Sequence, residues 1–251
     1  MRGFSRKFST CVVLVAGAGA ASSGCVDNQS TLFVLGAAKI SGDCTYEASA
    51  STLTLAEGVY DVGFKRSYQV GLILGNQMAS RGAKARSRTE TSRILLEGAE
   101  VTVRDPSGSL VRLKQNPFSS PGAGFVDVGT GNDPGYGTLS VVAIPYEDEP
   151  KGVLQDMITS GYVIAEMKAF GHTLGGQAVE SNTFSFPIAV CYGCLVSFPL
   201  GSVATDGKCL LSGSAEAATT SCLAGQDEVV GCTSCAAKFS VCASLDAKLG
   251  D

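Results

Sequence analysis

The stretch Tyr68-Gln69-Val70-Gly71-Leu72-Ile73-Leu74 decides the fold class. Tyr68, Val70, Leu72 and Leu74 share one side of a two-residue period, with Gln69, Gly71 and Ile73 on the other. A backbone whose successive side chains point to opposite faces is a strand. The same period sets Val101 and Val103 against Thr102 and Arg104, and Val111 and Leu113 against Arg112 and Lys114. It recurs with Leu139, Val141 and Ala143 against Ser140, Val142 and Ile144. Turn-forming clusters separate the runs: Asp105-Pro106-Ser107-Gly108, Pro121-Gly122, and Gly129 through Gly137. Short alternating runs with this punctuation predict an all-β chain, an antiparallel β-sandwich or barrel.

The next segment departs from the period once. Val153, Leu154, Met157 and Ile158 fall at helical spacing after Glu149-Pro150, and Gly161 ends the run, so a short helix is expected. A strand with Val163, Ala165, Met167 and Ala169 on one face and Glu166 and Lys168 on the other follows. Gly171-His172-Thr173-Leu174-Gly175-Gly176 reads as a turn and Ala178 to Val190 as the return strand. A helical corner, a strand, a Gly-rich hairpin and a last strand resemble the end of immunoglobulin-like or fibronectin-like sandwiches, with Tyr162 placed either as a corner tyrosine or as a partly buried strand residue. That resemblance is one of fold and carries no activity.

Composition bounds the function. With 251 residues, 45% hydrophobic and 17% charged, the chain is too apolar to be disordered and has room for one ordinary domain plus a smaller module. No run of eighteen apolar residues is present, so no membrane-spanning helix is expected. A net charge of -4 argues against a polyanionic partner such as nucleic acid.

The amino-terminal residues read as an export address. Arg2, Arg6 and Lys7 precede the small apolar run Thr10 to Ala21, which ends in Ser22-Ser23-Gly24-Cys25. Small residues directly before a cysteine resemble the lipobox of bacterial lipoproteins, with Ser22 where the family usually has Leu. The resemblance implies a signal peptide over residues 1–24 and acylation (palmitate among the chains) of Cys25 as the new terminus; cleavage as a plain secretory signal is the other reading. Removing residues 1–24 takes away Arg2, Arg6 and Lys7 and moves the net charge to -7, so membrane attachment would rest on the acyl chains.

The cysteines carry an independent argument. There are ten: Cys11 leaves with the signal and Cys25 takes lipid, which leaves the even set Cys44, Cys191, Cys194, Cys209, Cys222, Cys232, Cys235 and Cys242. Exported thiols pair. Seven of these eight lie in residues 191–251, which marks that segment as a small disulfide-stapled module following a sandwich over 25–190. Seven is odd, so Cys44 is expected to bridge across to the module. The spacing leaves the other partners open.

Candidate chemistry is sparse. Cys191-Tyr192-Gly193-Cys194 and Cys232-Thr233-Ser234-Cys235 are C-x-x-C pairs; structural disulfides are the expected role, with a four-thiolate zinc site or a redox-active pair as alternatives. His172 is the single histidine and sits among glycines with no nucleophile-elbow pattern in the chain, so an exposed turn residue is expected and no catalytic residue is assigned. Arg81, Lys84, Arg86, Arg88 and Arg93 form a basic stretch able to dock an anionic partner or to remain a solvated loop. Glu147-Asp148-Glu149 and the Asp127 to Asp133 region lack the spacing of a calcium loop and read as acidic surface. No resident metal and no cofactor are expected.

Several segments together resemble envelope lipoproteins of myxobacterial-type Gram-negative bacteria: Cys25-Val26-Asp27-Asn28-Gln29-Ser30-Thr31-Leu32, Gly75-Asn76-Gln77, Arg88-Thr89-Glu90-Thr91-Ser92-Arg93, and Phe186-Pro187 running into Cys191-Tyr192-Gly193-Cys194. This resemblance implies export and display at the envelope, without an activity. In studied lipoproteins Asp after the lipidated cysteine favours inner-membrane retention; Val26 stands there, which by analogy points to the outer membrane. The expectation is therefore a lipid-anchored, non-enzymatic envelope protein whose partners are the membrane and another envelope protein or polysaccharide. A thiol-disulfide oxidoreductase or a zinc module is the alternative.

Overall fold

A computed structural model describes residues 31–78, 91–130, 133–146, 150–197 and 222–231. The described residues are all-β apart from one short helix. The strands are β1 (Leu32–Ala38), β2 (Thr54–Leu55), β3 (Gly58–Asp61), β4 (Tyr68–Asn76), β5 (Ile94–Arg104), β6 (Phe118–Val126) and β7 (Gly135–Ile144). After the helix α1 (Pro150–Ser160) come β8 (Tyr162–Thr173), β9 (Ala178–Glu180), β10 (Phe184–Cys191), β11 (Val196–Ser197) and β12 (Val230–Gly231). One sheet runs β2-β1-β4-β7 and the other β3-β10-β8-β5-β6, with β9 paired to β8. All ladders in these two sheets are antiparallel except β3 on β10, which is parallel.

The inner faces share one apolar cluster. Tyr68, Val70, Leu72 and Leu74 of β4 and Leu139, Val141 and Ala143 of β7 meet Ile94, Val101 and Val103 of β5, Val163, Ala165, Met167 and Ala169 of β8, and Phe186 and Ile188 of β10. Each large member, such as Leu139, contributes roughly 1.5–3 kcal/mol by leaving water. Met157 brings α1 onto the same core. Pro150 opens that helix, where its missing N–H is no loss, and the Gly161 N–H closes it on the carbonyls of Met157 and Ile158.

Four expectations need correction. Residues 111–114 are not a strand: the Val111 N–H donates to the Val103 carbonyl, but the Val111 carbonyl accepts from the Leu113 N–H within the same segment, and the chain turns away. The side chain of Asn116 takes the strand's place. Its Oδ1 accepts from the Val103 N–H (2.9 Å), and its Nδ2 donates to the carbonyls of Val103 (2.7 Å) and Val111 (2.9 Å). One primary amide thus supplies the donor and acceptor that a neighbouring peptide would.

Pro121-Gly122 is not a turn but lies inside β6. The glycines there serve close approach. A Cβ on Gly124 would lie 2.5 Å from the Thr138 carbonyl oxygen, and one on Gly137 would penetrate the Phe125 carbonyl. Strands β6 and β7, which belong to different sheets, pass backbone against backbone, and the Val142 N–H donates to Ser120 Oγ across that seam (2.8 Å). Pro121 is tolerated because β6 has a ladder partner on one side only.

The third correction concerns residues 171–173, which continue β8 rather than forming a turn; the reversal occurs at Leu174–Gly176, closed by Gly176 N–H to the Thr173 carbonyl. Finally, the return from 178 to 190 is two strands. Ser181 interrupts them by accepting from the Ala169 N–H through its hydroxyl (2.9 Å), and Asn182 Oδ1 accepts from the Val34 N–H (3.1 Å) on the other sheet. Tyr162 is an exposed first residue of β8 and turns no corner.

The two-residue period also conceals a bulge. In β5, Ile94 and Leu96 are buried on even numbers, but Ala99, Val101 and Val103 on odd ones. The switch occurs where both ladders shift register, between Leu96 and Gly98. Gly98 has φ +157° and faces the Ser120 carbonyl oxygen, a position without space for a side chain.

Candidate functional site

The sequence features with the most chemistry converge where β3 and β10 end. Cys191 closes β10 beside Asp61, its parallel neighbour in register. The following turn, Cys191-Tyr192-Gly193-Cys194, is closed by a Cys191–Cys194 disulfide. Asp61 is wholly buried. Its Oδ1 accepts from the N–H groups of Gly63 (3.0 Å) and Gly193 (2.8 Å), and its Oδ2 from Leu195 N–H (3.0 Å). A buried carboxylate is costly unless charge-assisted hydrogen bonds replace its water; three amides do so here, that of Gly193 inside the C-x-x-C turn and that of Leu195 directly after it. Asp61 therefore holds the sulfur-bearing loop to the sheet.

Residues 222–231 form a strap over the same end of the molecule. Cys222 is joined to Cys44, 178 residues earlier, the crossing expected from the odd cysteine count. Beyond the bridge the strap binds both sheets. The Asp61 N–H donates to the Gly225 carbonyl (3.0 Å), the Asp227 N–H to the Val59 carbonyl (3.0 Å), and the Val59 N–H to Asp227 Oδ1 (2.7 Å), which satisfies the outer edge of β3. The buried Gln226 side chain turns to the other sheet, where its Oε1 accepts from the Gln69 N–H (3.0 Å) and its Nε2 donates to the Gln69 carbonyl. Gln69 is where β4 runs beyond the end of its pairing with β1. One strap thus caps a free edge in each sheet. Val230 adds a small apolar contact with Phe64, Val196 and Ala224.

Asp227 also receives the Tyr68 hydroxyl (2.7 Å to Oδ2). Burial pushes the Asp227 carboxyl above the usual carboxylate range, against the lowering effect of the bonds from Val59 and Tyr68. Burial likewise raises the Tyr68 phenol, and the neighbouring Asp227 charge raises it further. Beside this pair lies a recess of about 40 Å³ walled by Tyr46, Leu55, Gln69 and Asp227, enough for about one water and far below the size of a cofactor site. A larger open groove of about 550 Å³ runs between α1 and the 105–112 loop, with Asp105, Arg112, Val153 and Asp156 on its walls.

The remaining candidates distribute as follows. His172 lies on the exposed face of β8, Nδ1 3.1 Å from Glu97 Oε1, an exposed strand residue rather than a turn residue. Arg93 pairs with Asp127 (2.7 Å) and stacks on Phe125 (4.4 Å to the ring centroid). Cys25, Arg81, Lys84, Arg86, Arg88, Glu147 to Glu149, Cys209, Cys232, Cys235 and Cys242 lie outside the described residues. The sequence reading missed Asp61, Gln226 and Asp227. Only the proximity of Asp227 to Cys222 hinted at them, since apart from Gly63 beside Asp61 the partners named above stand more than a hundred residues away. Among the described residues, no helix is long and apolar enough to cross a membrane. No family model, curated protein or solved structure matches this chain.

Proposed function

We propose that the chain is an exported, lipid-anchored protein of the bacterial cell envelope, a contact or scaffold element and not an enzyme, built on a sandwich of immunoglobulin-like kind. The observation that carries this reading is the Cys44–Cys222 bridge. A cross-link over 178 residues that anchors the start of a strap bound to both sheets is a structural disulfide, and such bonds persist in oxidising compartments. The basic amino-terminal run and Ser22-Ser23-Gly24-Cys25 supply the matching address, with Cys25 as the acylated residue. The outer membrane is the proposed location, and another envelope protein or polysaccharide the proposed partner.

The setting of the C-x-x-C pair favours this reading over a thiol-disulfide oxidoreductase. A nucleophilic thiolate needs positive charge or free amide donors nearby. Among the described residues the carboxylate of Asp61 lies beside both sulfurs, and it already takes the amides of Gly193 and Leu195. Intact mass of the protein purified from its native membranes, with and without reduction, tests the proposal. A chain starting at an acylated Cys25 that gains protons in pairs on reduction is expected. A chain starting at Met1 with free thiols would overturn it.

A further inference from the structure

We infer that Asp61, Cys191 and Cys194 make a site for one thiophilic divalent cation, available when the Cys191–Cys194 disulfide is reduced. A carboxylate oxygen of Asp61 and the two sulfurs all lie within 4.8 Å of one another. Zinc bonds of about 2.3 Å to sulfur and 2.0 Å to oxygen, at tetrahedral angles, separate two sulfurs by about 3.8 Å and sulfur from oxygen by about 3.5 Å. The pair therefore needs only to part from its bonded distance for the three atoms to bracket an ion. Two cysteines at C-x-x-C spacing are themselves a chelating unit of structural zinc sites.

The carboxylate is suited to join them. Oδ1 accepts two amides and Oδ2 one, which leaves one of the two lone-pair directions of Oδ2 without a described donor. The same three amides fix the carboxylate relative to the loop that carries both sulfurs, as the outer hydrogen bonds of a metal ligand do. Asp61 is buried while Cys194 is exposed, so an ion enters from the Cys194 side and keeps an open fourth position toward solvent. Three protein ligands with one open position are the arrangement of a labile or reactive site rather than a closed structural one.

The two states exclude each other and the chemistry balances. A dithiol reductant gives two electrons and two protons to the disulfide, forming Cys191–SH and Cys194–SH and its own cyclic disulfide. The cation then displaces both thiol protons as it bonds to the sulfurs. Without a cation, two thiolates beside a buried carboxylate would place three negative charges together. Because the cation displaces two thiol protons, affinity rises with pH. The site needs only Asp61 and the loop of the two cysteines, and neither acylation nor a particular cellular location.

The test uses the full chain, reduced with a dithiol under inert gas, freed of reductant and titrated with Co(II). Thiolate ligation gives a near-ultraviolet charge-transfer band and intense visible bands of tetrahedral cobalt. Cys232→Ser/Cys235→Ser should retain one equivalent of this signal, and adding Cys191→Ser/Cys194→Ser should abolish it. Asp61→Asn should weaken binding at least tenfold. Since that variant removes a buried charge and could fail to fold, Cd-113 NMR of the cadmium-loaded Cys232→Ser/Cys235→Ser chain reads the ligand set independently, with a shift in the range of two sulfurs plus oxygen expected. Absence of the cobalt signal in Cys232→Ser/Cys235→Ser, its persistence after Cys191 and Cys194 are replaced, or a cadmium shift of three or four sulfurs would each overturn the assignment.

Discussion

Replacing both ends of the long bridge, Cys44→Ser with Cys222→Ser, isolates what the cross-link contributes. The two cysteines are 178 residues apart, and the loop-entropy model assigns about 5 kcal/mol to closing a loop of that length in the unfolded chain. Native strain and residual unfolded structure reduce such values, so a loss of about 2–5 kcal/mol is expected. Cys44 already sits at φ +63°; Ser meets the same backbone penalty, which cancels from the comparison. Removing both partners leaves no orphaned thiol to mispair. The chain has no tryptophan, so urea unfolding is followed by tyrosine fluorescence, for which the buried Tyr60 and Tyr68 are reporters. For a domain of this size a loss of 3 kcal/mol lowers Tm by roughly 6–12 °C. The unfolded variant is also less compact, so the dependence of stability on urea should steepen. A double variant with unchanged urea dependence and a loss below about 1 kcal/mol would refute the argument that the bridge acts by restricting the unfolded chain.

Four further outcomes follow from named contacts. Gln226→Ala strips the partner from the Gln69 N–H and carbonyl and should cost about 2–4 kcal/mol in urea denaturation; a loss under 0.5 kcal/mol would mean that the strap does not cap β4. Asn116→Asp keeps the acceptor for Val103 N–H but turns an anionic oxygen toward two carbonyls, so about 2–3 kcal/mol should be lost, while Asn116→Gln regains little; a neutral Asp variant would remove the surrogate-strand role. Gly137→Ala forces β7 off the Phe125 carbonyl and should cost roughly 1–3 kcal/mol or more, with amide exchange accelerated in β6 and β7; unaltered exchange would contradict the close seam. Carboxyl NMR titration should place Asp227 above the usual 3.8 and Asp43 and Asp105 below it, the first because of burial, the others because Ser41 and Ser107 hydroxyls donate to them. The signs differ: stability linked to Asp227 is fully present below 3.8 and lost as pH rises through its folded value, while that linked to the exposed Asp43 and Asp105 is present above 3.8 and lost as pH falls through theirs. An Asp227 that titrates at or below 3.8 would show that the bonds from Val59 and Tyr68 outweigh its burial.

Local chemistry was enough for much of the architecture. The inward residues of β4, β7 and β8, the limits of α1 between Pro150 and Gly161, and the turn at Asp105 to Gly108 all follow from neighbours within a few residues. Cysteine parity reached further, because an odd set within one segment needs a partner outside it, and Cys44 was the one cysteine in the sandwich segment.

Other features depend on partners that no local pattern encodes. The same Pro-Gly pair makes a turn or a strand according to whether a second backbone lies alongside, and β6 is a strand because the distant β5 pairs with it, while β7 of the other sheet passes close by. The bulge at Gly98 reverses which residues of β5 face inward only because two neighbouring ladders shift together. Asp61, Gln226 and Asp227 read as ordinary surface polar residues in sequence. They became connectors, Asp61 and Gln226 buried and Asp227 half-buried, when folding brought amides from across the chain within 3 Å of their side chains. Hydrophobic alternation is a property of adjacent residues and survives in the sequence, whereas the satisfaction of a buried polar group depends on where distant backbone is placed, which the tertiary structure alone decides.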